Sequence, residues 1–266
     1  WFALLACQGQ FVATSHRVRK VQEERYSFPL FFACDYDTVV APLDELIAPG
    51  DVLPAGKIYD SNRFVIKAML QRLGVDVMDL GLLPDNPQQI EQAFQQAMAE
   101  ADVLITSAGV SVGDADYTRQ ILHKLGQIDF WQVAIKPGKP FAYGQVRRQT
   151  AEGEAHFVGL PGNPVSSFMT FLLLVRPLLR KMQGMSTSAP HTQRLPAHFA
   201  WPKADKRREF LRVRRNAQGG LDLFPNQSSG VLTSVVWADG VVDNPGGQTI
   251  EPGQLVDFWP FSECLA

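Results

Sequence analysis

Between residues 38 and 184 the chain alternates short apolar runs with segments whose apolar positions recur at helical spacing. Residues 38–41 predict a strand, followed by a loop over 42–50. Residues 58–62 lead into a helix with Asp60 or Ser61 as N-cap and Phe64, Ala68, Leu70 and Leu73 as its apolar face; Gly74 stops it. Residues 75–80 alternate as a strand, 82–87 form a loop, and Pro87 suits the first turn of a helix over 88–99. The run 103–105 predicts a buried strand ending in a loop of small residues, then two aspartates and a helix from about Asp116 to Leu125. A strand through 130–135, a loop over 136–140, a strand over 141–144, a polar hairpin tip over 149–154 and a strand over 157–160 follow. A turn over 161–166 opens a long apolar helix to about Lys181.

Strands alternating with helices predict a doubly wound α/β domain with a mainly parallel sheet, in which ligands sit at the carboxyl ends of the strands. After Gly184 the pattern changes. A Ser/Thr/Pro linker over 185–190 precedes short alternating runs broken by turns at 216–220, 238–240 and 245–247, the pattern of a small all-β domain. The expected organisation is an unassigned segment 1–38, an α/β domain 39–184 and a β domain 191–266.

Composition narrows the function classes. At 266 residues the chain is long enough for two domains, and 45% hydrophobic with 20% charged residues is ordinary for a globular protein. A net charge of −2 gives no basic footprint, which argues against nucleic acid as partner. Cys7, Cys34 and Cys264 are far apart, so neither a disulfide framework nor a structural zinc site is expected, and a reducing, cytoplasmic compartment fits. The most apolar run, 168–175, is too short for a bilayer, which takes about 20 residues. The apolar start, 1–6, has no initiator Met or basic segment before it and reads as an N-terminally incomplete product, not a secreted one.

The candidate chemistry lies in loops. The stretch 107–118 runs strand, small-residue loop, two aspartates, helix, the order of parts that lets backbone N–H groups and a helix terminus meet an oxyanion. Its aspartates repel an anion unless a cation stands between them. Gly109-Val110-Ser111-Val112-Gly113 also matches the nucleophile elbow of α/β-hydrolases, with His123, His156, His191 and His198 downstream, but Asp114 and Asp116 follow at once where small apolar residues are usual. A turn with no chemistry stays open beside both readings. Lys136 and Lys139 flank a Pro-Gly turn, and Pro161-Gly162-Asn163-Pro164 is a second rigid turn after a buried strand, a pairing that suits preorganised oxyanion binding. Asp85 and Glu45, each taken alone, read as loop residues, and the histidines show no metal-ligand spacing. Arg207, Arg208, Arg212, Arg214 and Arg215 cluster on a strand where Arg208, Arg212 and Arg214 share a face; a charge-blunted edge strand is the alternative.

Taken together, residues 107–117, 135–140 and 159–166 resemble, in order and context, the loops of the molybdopterin molybdenumtransferase (MoeA) family, which includes the gephyrin E domain. Tyr59-Asp60-Ser61-Asn62, Glu209-Phe210-Leu211-Arg212 and Gln227-Ser228-Ser229-Gly230 are similar to the family as well, and the likeness runs from about Asp44 to the C-terminus. It implies a molybdopterin-binding α/β domain followed by a small β-barrel-like domain. The implied activity is insertion of molybdate into adenylylated molybdopterin with release of AMP, assisted by Mg²⁺, in molybdenum cofactor biosynthesis. It also implies a homodimer that works alongside the molybdopterin adenylyltransferase and molybdoenzymes.

By position, the resemblance ties Ser111 and Asp116 to cleavage of the adenylylated pterin and places Asp85 and Glu45 in the cleft, with Asp116, Asp85 and Glu45 as the carboxylates for Mg²⁺. Lys136, Ser166, Arg212 and Ser229 match a molybdate pocket, with Lys139 on the same turn and Pro161 and Pro164 in the rigid loop beside it. A dianion calls for lysine, arginine and hydroxyl donors from several loops, and a carboxylate-held Mg²⁺ accounts for aspartates beside an anion loop. The chain departs from the family at Ala41-Pro42-Leu43-Asp44-Glu45-Leu46, where Ser-Thr-Gly-Asp-Glu-Leu is usual, at Ala108 and at Gln132. The family's N-terminal domains have no counterpart in residues 1–38. The alternatives are a non-catalytic molybdopterin-binding or scaffold module and a molybdopterin adenylyltransferase; the appended β domain argues against the latter.

Overall fold

The computed structural model describes residues 46–47, 58–83, 86–107, 121, 123–148, 153–185 and 191–264. The expected strand at 38–41, the aspartate loop and the residues Glu45, Asp85, Ser111 and Asp116 lie outside the described residues.

Short strands β1 (Leu46–Ile47) and β2 (Ile58–Tyr59) pair in parallel, and helix α1 (Asn62–Arg72) follows from Ser61. Its buried residues are Asn62, Ile66, Met69 and Leu70, so the buried stripe is rotated from the expected one: Phe64 and Ala68 are exposed. Residues 75–78 alternate half-buried with exposed, 79 and 80 are both exposed, and the run joins no ladder among the described residues; Asp79 instead accepts hydrogen bonds from Arg63 and Lys67 of α1. Helix α2 (Pro87–Glu100) begins as its sequence dictates, with the Asn86 side chain accepting from Gln88 N and Gln89 N.

Strands β3 (Val103–Ser107), β4 (Gly126–Gln132), β6 (Pro140–Arg147) and β7 (Glu154–Leu160) form a four-stranded sheet in the order β3-β7-β6-β4. Only β3 and β7 run parallel; the β6–β7 and β4–β6 pairings are antiparallel, so the sheet is mixed where a mainly parallel one was expected. The double winding is present. On one face α2 brings Ile90, Phe94, Ala97 and Met98 against Leu104, Ile128, Ala142 and Phe157. On the other, α1 and the long helix pack Ile66, Met69, Phe168 and Met169 against Phe141, Val158 and Leu160. Strand β7 is buried at every position from Phe157 to Leu160, as covering both faces requires.

The long helix runs as α3 (Pro164–Thr170), a wider π-helical turn (Phe171–Val175) and α4 (Arg176–Met182). The wide turn lies just before Pro177, whose ring and missing N–H disturb the preceding backbone bonds. No helix among the described residues is long and apolar enough to cross a membrane.

The second sheet holds β8 (Gln193–Pro196), β9 (Arg208–Arg215), β10 (Leu221–Leu223), β11 (Gly240–Asn244) and β12 (Leu255–Pro260) in the order β10-β9-β11-β12-β8. Its core contains Leu211, Val213, Leu221, Val242, Ile250 and Phe258. A single bridge, Ala197 to Leu221, joins the two ends, so the barrel-like sheet is not a closed barrel. Two short helices, α5 (Thr233–Trp237) and α6 (Phe261–Cys264), accompany it where an all-β pattern was expected. The run expected as one strand over 130–135 is two: β4 stops at Gln132, and β5 (Ile135–Lys136) leaves the first sheet to pair in parallel with β9 of the second. Strand β9 is therefore an interior strand, not an edge.

Candidate functional site

Strands β3 and β7 end side by side, with Ser107 opposite Leu160 in parallel register. Their following residues therefore leave from one end of the sheet, where the conserved geometry of α/β sheets places ligands. Three other segments meet the turn after β7 or the helix it opens. The buried Asn62 donates from Nδ2 to Gly162 O at 2.6 Å, tying the segment after β2 to the turn that holds Pro161 and Pro164. Val165 N donates to Ser229 O at 3.0 Å, joining the start of α3 to the segment 227–230. Gly138, at φ +117°, packs so that a Cβ would come within 2.7 Å of Thr170 Cγ2, which sets the Lys136–Lys139 turn against α3. The turn reaches β9 through β5.

Arg212 lies beneath this meeting point and is 1% exposed. Its guanidinium donates from Nε to Ser234 Oγ at 3.2 Å, from Nη1 to Phe210 O at 3.1 Å and from Nη2 to Ser228 O at 3.3 Å. Gln227 clamps the Arg212 peptide, accepting from its N at 2.9 Å and donating to its O at 2.9 Å. No carboxylate among the described residues pairs with it, and burial lowers its pKa to about 10. Three of the five guanidinium N–H groups meet neutral oxygens, and one on each terminal nitrogen has no acceptor among the described residues. The charge is thus oriented by dipoles and left without a counter-ion, the condition for taking an oxyanion in a fork of parallel bonds.

Lys136 is placed differently. Strand alternation puts Glu209 on the face of β9 opposite Arg212, and Lys136 pairs in register with Glu209. Its Nζ lies 3.0 Å from Glu209 Oε1 and 3.3 Å from Asp205 Oδ2. Glu209, 1% exposed, also accepts from Trp201 Nε1 at 2.8 Å. The Arg207 guanidinium beside Asp205 holds that carboxyl well below the usual carboxylate range. Lys139 is exposed and makes no ion pair among the described residues.

Of the residues singled out from the sequence, the structure brings the backbones of Ser166 and Ser229 together beside Arg212, with Pro161 and Pro164 on the adjoining turn. Ser166 is buried and Ser229 half-buried. The Lys136 ammonium is held apart from Arg212 by the strand between them. Arg208 and Arg214, on Arg212's face by alternation, are exposed at the strand's ends, where Arg208 makes a bidentate pair with Asp243 and Arg214 stacks over Trp237 at 4.5 Å. Sequence reasoning quoted Asn62 and Gln227 within family-like motifs without giving either a role, and missed Trp201; their partners are 100, 15 and 8 residues away in the chain. Asp60, beside Asn62, is 4% exposed, and burial raises its pKa above the usual value despite a hydrogen bond accepted from Arg63 N.

Among the described residues no group of three or more His, Cys, Asp or Glu could hold a metal ion. Glu45, Asp85 and Asp116, the carboxylates expected to hold Mg²⁺, lie outside the described residues.

Comparisons with known proteins identify the family and the fold. Residues 44–181 match the family described as probable molybdopterin binding domain, and residues 194–261 match the MoeA C-terminal region, domain IV. The molybdopterin molybdenumtransferase of Haemophilus influenzae is 40% identical over 239 residues, covering 85% of this chain and 56% of that protein. The enzyme of the same name from a Nostoc species is 32% identical over 212 residues, covering 77% of this chain and 48% of that protein. A crystal structure of the molybdopterin biosynthesis MoeA protein from Pyrococcus horikosii superposes with a TM-score of 0.66 at 28% identity, covering 84% of this chain and 53% of that one. The chain spans about half the length of the curated relatives it matches. With its first domain and its C-terminal region both matched in order, the chain belongs to the molybdopterin molybdenumtransferase (MoeA) family.

Proposed function

We propose that this chain carries the molybdate-inserting part of a molybdopterin molybdenumtransferase, which places molybdenum in adenylylated molybdopterin with release of AMP. The observation that carries the reading is Arg212, a buried guanidinium with no carboxylate partner among the described residues, beside the Ser229–Val165 junction. Molybdate is a tetrahedral dianion, and two free N–H groups on one planar guanidinium suit two of its oxygens. Ser166, Ser229 and Lys139 complete the set of donors, while Pro161, Pro164 and Asn62 keep the turn beside them rigid.

The pterin nucleotide lies across the carboxyl ends of β3 and β7. Ser111 and Asp116 act at its phosphates, and Asp116, Asp85 and Glu45 are the carboxylates to which Mg²⁺ is assigned. Those residues lie outside the described ones. The family resemblance further supports a cytoplasmic homodimer that receives its pterin from the adenylyltransferase and passes cofactor to molybdoenzymes. No observation favours the adenylyltransferase reading, and the matched C-terminal region speaks against it.

The test is to mix the protein with adenylylated molybdopterin, Mg²⁺ and molybdate and to follow AMP. Release that depends on molybdate supports the proposal. Pterin binding without release makes the chain a binding module, and failure to bind overturns both readings.

A further inference from the structure

The inference rests on the reading that the Lys136–Lys139 turn and Arg212 hold molybdate between them. We propose that Glu209 is the positioning residue that fixes where this turn stands relative to Arg212. Strand β9 carries both groups: Arg212 on the face toward the α/β domain, Glu209 on the face toward the second sheet's own core. Arg212 contributes directly, whereas Glu209 acts through Lys136.

The geometry is specific. Both carboxylate oxygens of Glu209 are engaged by donors from separate elements, Oε1 by Lys136 at 3.0 Å and Oε2 by Trp201 Nε1 at 2.8 Å. A carboxylate held at both oxygens and 1% exposed has no freedom to turn, so the ammonium it binds is fixed as well. Arg208 N donates to Ala134 O at 3.0 Å and β5 pairs with β9, which completes the seam. Asp205 also reaches Lys136, but it stands on a partly exposed loop and is already engaged by Arg207, so it adds less.

From Lys136 the chain turns through Gly138, packed on Thr170 of α3, to the exposed Lys139. A shift at Lys136 is therefore transmitted to the rest of the turn. Because Lys136 is neutralised by its two carboxylates, its service to the anion is to place the turn. Lys139 and the turn's own backbone face the ligand. This separates two basic residues three positions apart, one as strut and one as contact.

The test uses Glu209→Gln, which keeps the shape and an acceptor for Trp201 but loses the charge, and Trp201→Phe, which frees Oε2 and leaves every other contact of Lys136 in place. In the AMP-release assay both variants are expected to raise the KM for molybdate, Glu209→Gln by about threefold, no more than Lys136→Met, and Trp201→Phe by about twofold, with kcat and the pterin KM unchanged from wild type. Glu209→Gln added to Lys136→Met is expected to cost nothing beyond Lys136→Met alone, since both act through one contact. A molybdate KM unchanged in both folded single variants, or effects of the two substitutions that multiply, overturns the proposal. Should Glu209→Gln fail to fold, Trp201→Phe decides.

A wild-type protein that releases no AMP defeats the functional reading instead. The positioning claim then stands or falls on the amide resonances of Gly138 and Lys139, which Glu209→Gln must shift and which a purely local role would leave in place.

Discussion

The two faces of β9 handle a buried charge in opposite ways. On one, the Arg212 guanidinium is surrounded by a hydroxyl and two peptide carbonyls and meets no acid among the described residues. On the other, Glu209 is met by the Lys136 ammonium and an indole N–H. Dipoles orient a charge without cancelling it, whereas an ion pair cancels it and serves mainly to hold two elements together. The first arrangement keeps electrostatic free energy available for a ligand, and the second spends it on structure.

The same contrast recurs around Arg63. Asp60 is buried with backbone N–H groups as its principal partners, and Asp79 is paired to the guanidinium. Its pKa moves up and that of Asp79 moves down. Burial raises Asp60 although its backbone partners pull the other way, whereas the side-chain bond from Arg63 lowers Asp79.

The comparison breaks first at Arg212. Arg212→Lys keeps the charge and loses the fork, and molybdate-dependent AMP release is expected to fall by about tenfold to a hundredfold with the pterin KM preserved. Unchanged kinetics would mean that the fork is not used. Next, Lys136→Met leaves a buried carboxylate with a single donor, so thermal unfolding should show a loss of about 1–3 kcal/mol, larger than the change in pterin binding. A fully stable variant would show that Glu209 and Lys136 do not hold the two sheets together. Asn62→Ala removes one buried hydrogen bond to Gly162 O and is expected to cost about 1 kcal/mol and a few-fold in the molybdate KM. A larger loss of stability than of activity would place Asn62 in the core and not at the site.

The smallest effects come from the acid limb. The folded Asp60 carboxyl holds its proton more tightly than the unfolded one, so its charged form weakens the fold above its raised pKa, and the penalty fades as pH falls through that value. Asp60→Asn should therefore be slightly more stable than wild type at neutral pH, with the gap closing below about pH 4. Asp79 has the opposite sign: its stabilisation is complete above the ordinary carboxylate range and is lost as pH falls through its lowered folded value. Asp79→Asn should be less stable at neutral pH and converge with wild type in strong acid. Parallel urea titrations of both variants across acid pH check the pair, and equal signs would contradict burial as the dominant influence on Asp60 beside an ion pair at Asp79.

Much of the first domain was legible because its signals are local. Asn86 and Pro87 start a helix by their own chemistry, and the apolar run 157–160 reads as a strand buried on both faces. What was not legible depends on partners far along the chain. Residues 75–80 alternate correctly for a strand, yet Asp79 is drawn to α1 and no ladder forms among the described residues. The run 130–135 looks continuous, but β5 is captured by β9, which begins more than 70 residues later. The alternation in the arginine cluster assigned the face of Arg212 correctly and could not reveal that α5 and Ser234 cover it. Asn62 looks like an ordinary first-turn residue until Gly162 arrives beside it.

The central claim is that Arg212, and not Lys136, carries the charge that molybdate meets. Equilibrium titration of molybdate into wild type, Arg212→Lys and Lys136→Met tests it most directly, with each variant shown folded by circular dichroism. The account predicts that Arg212→Lys binds at least about tenfold more weakly, while Lys136→Met loses about threefold or less, consistent with a contact that only positions the turn. Wild-type affinity in Arg212→Lys, together with a large loss in Lys136→Met, would contradict it.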